Sequence, residues 1–225
     1  MGSNNTRLSP RQKMINLMYI VLTAMLALNV SSDVLNGFTQ VEEGLKRTNT
    51  NVEERNSAIL NTLEAFATQN PDKGKRWYDK ATEVRRVTDG IYRHIDSLKY
   101  LIVREADGSD ADVADIRNRD NLEAASFVML SGNRTRGAAL RKEIESYRTY
   151  ITSLISDTLK RVSLAKSLST EAVLRKGTLG KQSWEESKFD NQPVVAAVTL
   201  LTKLQNDVKS VSYTHLRAHE TEADL

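Results

Sequence analysis

The chain has 225 residues, a formal net charge of +3 and no cysteine. The absence of cysteine excludes disulfide bonds and thiolate metal sites. The intermixed acidic and basic residues argue against a nucleic-acid-binding surface, which needs clustered Lys and Arg. Only three prolines and an aromatic content of 6%, together with many Leu, Ala, Glu, Lys and Arg residues, favour an all-α fold.

A long uncharged stretch lies near the start of the chain. No charged residue falls between Lys13 and Asp33, and a helix of this length nearly spans a hydrocarbon core of about 30 Å. The stretch predicts a transmembrane helix over residues 14–31, preceded by a cytoplasmic segment over residues 1–13. A cleaved signal peptide is the alternative, but the apolar run is longer than a usual signal sequence and no clear cleavage site follows it.

The residues before this stretch predict how the helix begins and which way it points. The segment Ser9–Gln12 has the features of a helix start, with Ser9 as the N-cap and a proline at the first helical position. Arg7, Arg11 and Lys13 hold this end in the cytoplasm by the positive-inside rule. The rest of the chain is therefore expected on the other side of the membrane.

One face of the predicted membrane helix carries polar side chains. Asn16, Tyr19 and Thr23 are spaced by three and four residues and therefore share a face. They could anchor the helix at the interface and bond to its own backbone, or they could contact another protein's membrane helices. Ala24 and Ala27 would let a neighbouring backbone approach closely, although no GxxxG motif is present.

A helical domain is predicted over residues 32–209. Its helices are expected over residues 34–68, 75–104, 122–130, 136–168 and 194–209, and the first is expected to continue straight out of the membrane helix. A heptad-like spacing predicts the inward seam of the first helix, which comprises Val34, Phe38, Val41, Leu45, Thr48, Val52, Arg55, Ile59, Leu63 and Phe66. Gly37 and Gly44 interrupt this helix, either at a close contact or as tolerated glycines.

Similar spacing predicts the inward faces of the later helices. For the second helix these residues are Trp77, Ala81, Val84, Thr88, Ile91, Ile95, Leu98 and Ile102. For the fourth they are Leu140, Ile144, Tyr147, Ile151, Leu154 and Val162, and for the last they are Val194, Ala197, Val198, Leu201, Leu204 and Val208. Between the helices, Gly177–Gly180 is expected to be a turn, and Trp184 and Phe189 precede Pro193 at the start of the last helix.

No catalytic, metal or cofactor site is expected. The aspartates of the loop over residues 105–121 lack the glycine and the closing glutamate of an EF-hand, which favours a solvated acidic loop. His94 has no second histidine near it and is expected to be a surface or rim residue. An enzyme is therefore the least favoured class of function.

The last residues have an unusual composition. The segment Val211–Thr221 resembles the in-frame translation of a sequencing-library adapter, so residues 210–225 are interpreted as a non-native tail. His215 and His219 lie in this tail and are not interpreted as a metal site.

Three segments closely resemble the GldM/PorM family, the inner-membrane motor subunits of the Bacteroidota type IX secretion and gliding machinery. The first is Ser9-Pro-Arg-Gln-Lys-Met-Ile-Asn-Leu-Met-Tyr19, followed by Leu22-Thr-Ala-Met-Leu-Ala-Leu-Asn29 and Val34-Leu35. The others are Leu122-Glu-Ala-Ala-Ser126 and the region from Trp184 to Leu201. The resemblance covers about residues 9–209.

The resemblance implies the topology and the partners. Members have one membrane helix and a helical first periplasmic domain, followed by β-rich domains that reach toward other periplasmic and outer-membrane secretion components. They form homodimers, and their paired membrane helices lie inside a ring of a second membrane protein, GldL/PorL. By motif, Arg11 and Tyr19 would face an acidic residue within the membrane part of that partner and take part in proton coupling.

The predicted function is therefore that of a force-transmitting subunit of a motor driven by the proton motive force. The alternative is a single-pass membrane sensor with a helical periplasmic ligand-binding domain. A sensor normally has a second membrane helix and a cytoplasmic output, whereas about a dozen residues precede the apolar stretch here.

Overall fold

The computed structural model describes residues 9–28, 31–132, 135–155, 157–174 and 180–223. Within them the predicted all-α fold is confirmed, with eight helices and one short antiparallel ribbon. The helices are α1 Pro10–Leu28, α2 Ser32–Gln69, α3 Pro71–Asp107, α4 Ala124–Leu130, α5 Arg136–Leu154, α6 Thr158–Ser167, α7 Trp184–Phe189 and α8 Val194–Ala223. The strands are β1 Val173–Leu174 and β2 Lys181–Gln182.

The first helix begins as the sequence predicts. The backbone N–H of Gln12 donates to Ser9 Oγ at 3.3 Å, and that of Lys13 donates to the Ser9 carbonyl at 3.0 Å. Among the described residues, no helix combines the length and the apolar character that a membrane crossing requires. The transmembrane helix predicted over residues 14–31 is therefore not supported by the structure.

The expectation of one continuous helix from the apolar stretch into the domain is wrong. Ser31 has an extended backbone, with φ −58° and ψ 137°, and its side chain accepts a hydrogen bond from the N–H of Asp33. Ser satisfies the free N–H groups of a helix start, so a new helix begins at Ser32. Residues 29 and 30 lie outside the described residues.

Three long helices make the frame of the domain. α2 and α3 form an antiparallel hairpin that turns at Asn70, where Pro71 occupies the first position of α3. α8 packs against both helices. It runs parallel to α2, because Asn49 contacts Thr202 and Asn56 contacts Lys209, seven residues further along each helix.

The predicted seam of α2 is correct at Ile59 and Leu63, which are buried, but before them the side that packs into the domain is rotated from the prediction. Four predicted inward positions are exposed to solvent, namely Val34, Val41, Thr48 and Arg55. In their place Glu42, Asn49 and Asn56 are each only 4% exposed. The prediction failed at these positions because it assumed an apolar seam, whereas α2 contacts α8 through polar side chains at Asn49 and Asn56.

The inward faces predicted for α3, α5 and α8 are confirmed. In α3 the predicted residues from Ala81 to Ile102 are buried, and in α5 the predicted residues from Leu140 to Ile151 are buried. All six predicted residues of α8 are buried as well. Most of these side chains join one apolar core that also includes Trp184 and Phe189.

The single helix predicted over residues 136–168 is two helices. α5 ends at Leu154, where Ile155 is extended, and α6 begins at Thr158. Asp157 caps α6, since its Oδ1 accepts the N–H of Leu159 at 2.8 Å. Val162, predicted to face inward, is 51% exposed in α6.

A short helix before α8 was not predicted from the sequence. Ser183 and Glu186 form a complete capping box that begins α7, a pattern that is visible in the sequence as Ser-x-x-Glu. α7 places Trp184 against Phe189 in an edge-on contact, with ring centroids 6.0 Å apart. The ribbon of β1 and β2 precedes this helix.

The last helix is longer than predicted. α8 continues past residue 209 to Ala223, and Leu216 packs against Ile59, Leu60 and Leu63 of α2. The interpretation of residues 210–225 as a non-native tail stays a prediction.

Replacing Gly74 by alanine is expected to destabilise the protein. A Cβ atom at Gly74 would lie 2.6 Å from Ala67 Cα and 2.8 Å from the ring of Phe66, which forces the α2–α3 turn apart. We expect Gly74→Ala to cost about 1–3 kcal/mol of unfolding free energy, measured by urea denaturation.

Gly90→Ala is the matched control on the same helix. A Cβ atom at Gly90 meets nothing within 4 Å, so the higher helix propensity of alanine should stabilise the protein by about 0.5–1 kcal/mol. Equal stabilities for the two variants would contradict the close approach of α2 and α3 at this turn.

Candidate functional site

The predicted partner-binding residues lie on α1 and are open to solvent. Arg11, Asn16 and Thr23 are exposed, and Tyr19 is 66% exposed. Thr23 Oγ1 donates to the carbonyl of Tyr19 at 2.7 Å. This is the bond to the helix's own backbone that was one of the two alternatives for this face. Within the described chain no hydrogen bond or ion pair engages Arg11, so its guanidinium is available to a partner.

The apolar side chains of α1 are exposed as well. From Met14 to Leu22 every large hydrophobic side chain has at least 41% of its surface exposed. Burying such a surface would be favourable by about 25 cal/mol per Å² of apolar area removed from water. The side chains of Ala24 and Ala27 lie outside the described residues.

The acidic loop between α3 and α4 is held by its own carboxylates. Asp107 accepts hydrogen bonds from the N–H groups of Arg117 and Asn118 at 2.9 and 2.8 Å. Asp112 Oδ1 accepts the N–H of Ala114 at 2.8 Å. Asp107 and Asp112 therefore stabilise the backbone of this loop. No cluster of metal-ligating side chains occurs in the described ranges.

A polar layer lies where α2 meets α8. Glu42, Asn49 and Asn56 are spaced by seven residues and point at α8. Asn49 Nδ2 donates to the Thr202 carbonyl at 3.5 Å and Asn56 Nδ2 donates to the Lys209 carbonyl at 3.4 Å. Since the same bond recurs one heptad apart, these asparagines fix how far α8 is displaced along α2, as buried polar residues do in coiled coils.

Gln205 connects α8 to α3. Its side chain is fully buried and its oxygen accepts a hydrogen bond from Lys99 Nζ at 2.8 Å. Its Nε2 donates to Asp96 Oδ1 at 2.7 Å and to the Tyr92 carbonyl at 3.1 Å. Lys99 is itself buried and pairs with Asp96 at 3.1 Å. A buried amide satisfied at both ends tolerates little displacement, because each broken bond would leave a buried polar group unpaired.

A second ionic group joins all three long helices. Glu53 of α2 accepts from Arg85 of α3 at 2.9 Å and pairs with Lys209 of α8 at 2.9 Å. Lys209 Nζ lies 4.2 Å from the centre of the Tyr92 ring, a cation–π contact. Burial, with the nearby Asp96 and Glu53 carboxylates, raises the pKa of Tyr92.

Tyr147 connects α5 to the same layer. Its hydroxyl is 2.9 Å from Thr88 Oγ1 and donates to the Val208 carbonyl at 3.2 Å. Burial raises the pKa of this phenol well above its ordinary value of 10.0. His94 links α3 to α5 through a hydrogen bond between its Nδ1 and the Glu143 carboxylate. It is half-buried at the rim, as predicted.

This polar layer was not predicted from the sequence. Its signal was present, because Glu42, Asn49 and Asn56 repeat every seven residues beside a seam of the same period. The apolar seam one residue away was chosen on hydrophobicity. Gln205 and Lys99 could not be recognised in this way, because each is a single buried polar residue and forms no repeat along the sequence.

Tyr147→Phe should weaken folding at neutral pH by about 0.5–1.5 kcal/mol, because the buried hydrogen bond from the Tyr147 hydroxyl to the Val208 carbonyl is lost. The pKa of the folded phenol is raised, so its contribution is complete below the unfolded value and is lost as the pH rises above about 10. The stability gap between wild type and Tyr147→Phe should therefore narrow between pH 9 and 11, measured by chemical denaturation.

Tyr100→Phe is the control for this measurement, since Tyr100 is exposed. Its stability should follow that of the wild type at every pH. A gap for Tyr147→Phe that stays constant across this range would show that the phenol does not titrate differently in the folded state.

Comparison with known proteins identifies the family. The sequence model of the GldM N-terminal domain matches residues 33–219, a range that contains α3 to α7, nearly all of α2 and most of α8. No curated protein matches the chain. Because the match covers well over half of the sequence, the chain belongs to the GldM N-terminal domain family.

Proposed function

We propose that this chain is the force-transmitting subunit of a proton-driven inner-membrane motor that powers type IX protein secretion and gliding motility. Membership of the GldM N-terminal domain family carries the proposal, since that family indicates a component of this machinery. The chain has no catalysis of its own in this proposal, and it converts movement at one end into movement at the other.

α1 is the anchor in this proposal, with its N-terminus in the cytoplasm and the domain from α2 onward in the periplasm. The exposed apolar side chains of α1 support this placement, as do the basic residues at its start. Lipid or the helices of a partner would bury the surface that the domain leaves open.

The partner at α1 is a GldL/PorL-like membrane protein with an intramembrane acidic residue. Such a carboxylate would be costly unless paired. Arg11 would supply the opposite charge and Tyr19 a hydrogen bond, with Asn16, Thr23 and the small residues of α1 along the contact. One proton crossing 100 mV releases about 2.3 kcal/mol, comparable to one such contact, so protonating the carboxylate could switch the pair between two states.

The domain would pass the resulting movement from α2 to α8. The two helices are parallel, and Asn49, Asn56 and Glu53 join them at several levels. Movement of α2 along its axis would therefore carry α8 with it. Further periplasmic and outer-membrane components would receive this movement through domains beyond α8.

A second copy of the chain would pair along the open side of α2. Val34, Gly37, Val41 and Gly44 are spaced by three and four residues and therefore share a face of α2. Val34 and Val41 are 50% and 55% exposed, and a Cβ at either glycine would meet nothing within 4 Å. Valines separated by glycines permit the close approach of another helix, which supports a homodimer.

Arg11 should be needed for motor activity and not for folding. If Arg11 meets a carboxylate through two parallel hydrogen bonds, lysine cannot reproduce the geometry, so both Arg11→Ala and Arg11→Lys should abolish secretion and surface motility. Tyr19→Phe should act more mildly through one lost hydrogen bond of about 0.5–1.5 kcal/mol. The variants are tested in cells whose only full-length copy carries them, with assembly checked by pull-down.

Lys13→Ala is the matched control, because it removes a positive charge from the same helical turn. The Lys13→Ala strain should remain motile, because in this proposal the charge of Lys13 serves only topology. Normal motility and secretion in the Arg11→Ala strain would remove Arg11 from the mechanism.

Val41→Glu should dissociate the homodimer, because it places like charges opposite each other on the proposed seam. Thr50→Glu adds the same charge to an exposed position on the other side of α2 and should leave the dimer intact. Analytical ultracentrifugation of the detergent-solubilised chain measures both. Equal sedimentation of wild type and Val41→Glu would place the dimer contact elsewhere.

A further inference from the structure

A cavity of about 360 Å³ lies where the acidic loop meets α2 and the start of α8. Its walls comprise Thr39 and Glu42 of α2, Val195 of α8 and loop residues 113–117 and 119. This volume is at the small end of the range for ligand sites in proteins. None of these residues belongs to the surfaces proposed above for the membrane partner or for the second copy.

The α2 side of the cavity offers hydrogen-bond acceptors. Glu42 is 4% exposed, and its Oε1 lies 2.9 Å from Lys46 Nζ. Apart from this ion pair, Oε1 has no hydrogen-bond partner within the described chain. A carboxylate has about four lone-pair positions, so Glu42 retains acceptor capacity. Thr39 donates its hydroxyl proton to the Leu35 carbonyl at 3.2 Å, which leaves its oxygen free to accept.

The loop side of the cavity offers donors that are already positioned. Arg117 NH2 donates to the carbonyls of Asp107 and Asp110, both at 3.3 Å. Arg119 NH1 donates to Asn36 Oδ1 at 3.0 Å. Each guanidinium has five N–H groups, so both keep donors for a ligand while these contacts hold them in place.

The charges of the lining residues cancel. Glu42 and Asp115 contribute two negative charges and Arg117 and Arg119 two positive charges, so neither a simple anion nor a simple cation is favoured. Glu42 lies on the helix side, whereas the loop side carries both arginines and Asp115 and is net positive. This separation favours a ligand with both charges. Val113, Ile116 and Val195 add apolar surface.

We propose that this cavity binds a free α-amino acid with an aliphatic side chain. Its ammonium group would donate to Glu42 and the Thr39 oxygen, and its carboxylate would accept from Arg117 and Arg119. The side chain would pack against Val113, Ile116 and Val195. The bound molecule would join α2, the loop and the start of α8. This site is independent of the motor function proposed above, because it uses neither α1 nor the dimer seam.

Thermal unfolding and isothermal titration calorimetry of the full chain in detergent test the proposal, with L-leucine as the probe. Leucine at about 100 times its Kd should raise Tm by about 5–10 °C. L-leucinamide lacks the carboxylate and 4-methylpentanoate lacks the ammonium group, so neither should shift Tm. The dipeptide Leu-Leu distinguishes a free amino acid from a peptide end, and it should bind more weakly than leucine.

Two variants locate the site. Glu42→Gln should weaken leucine binding about tenfold to a hundredfold, because one hydrogen bond to a charged group is lost. Glu43→Gln, the adjacent exposed carboxylate on the same helix, should bind as the wild type does. Ala114→Leu fills the cavity from an exposed loop position, so it should abolish binding without unfolding the protein.

Absence of binding by leucine, isoleucine and valine to the wild-type chain would overturn the proposal. So would equal binding by wild type and Ala114→Leu, or equal effects of Glu42→Gln and Glu43→Gln. Tighter binding of Leu-Leu than of leucine would replace the free amino acid with a peptide end as the ligand.

Discussion

The position of α8 between α2 and α3 depends on a few buried polar side chains. Gln205 has no exposed surface and exchanges hydrogen bonds with Lys99, Asp96 and the Tyr92 backbone. Apolar packing is non-directional, so it would tolerate α8 at several heights along its neighbours. The amide of Gln205 does not tolerate such a shift of α8 along its axis, because the shift would leave buried donors and acceptors without partners.

Much of the rest of the domain follows from that fixed height. It places Val208 over the hydroxyl of Tyr147 and thereby connects α5 to the frame. It also brings the start of α8 against the acidic loop, where Val194 and Val195 donate their N–H groups to the carbonyls of Asn121 and Arg119. The free N–H groups at the start of α8 are thus satisfied by the loop, and the cavity beside them is closed on that side.

The sequence predicted the helices well and the contacts between them less well. The faces of α3, α5 and α8 were predicted because apolar residues recur there with the helical period. α2 was predicted as a helix, but its inward side was misplaced because Val41 is exposed and Glu42 is buried. Periodicity reports where apolar residues lie, and it cannot show that a carboxylate or amide will find a partner on a helix distant in the chain.

The start of α6 and the whole of α7 were missed for a different reason. Asp157 and Ser183 both cap helices, and each was visible as a local signal. Asp157 lies between Leu154 and Val162, whose helical spacing predicted one continuous helix. On α1, the spacing of Asn16, Tyr19 and Thr23 predicted a shared polar face, and these side chains are exposed. Their contact with a partner stays a prediction.

The parallel arrangement of α2 and α8 has a mechanical consequence. A load that pulls on the N-terminal end of α2 and on the C-terminal side of α8 acts along the interface and not across it. In this shear geometry the contacts at Asn49, Glu53 and Asn56 bear the load together, whereas a peeling load would break them one after another. Rupture then requires the simultaneous loss of several bonds, and forced unfolding is governed by that kinetic barrier. Tension along the axis of the domain is therefore opposed by several contacts at once.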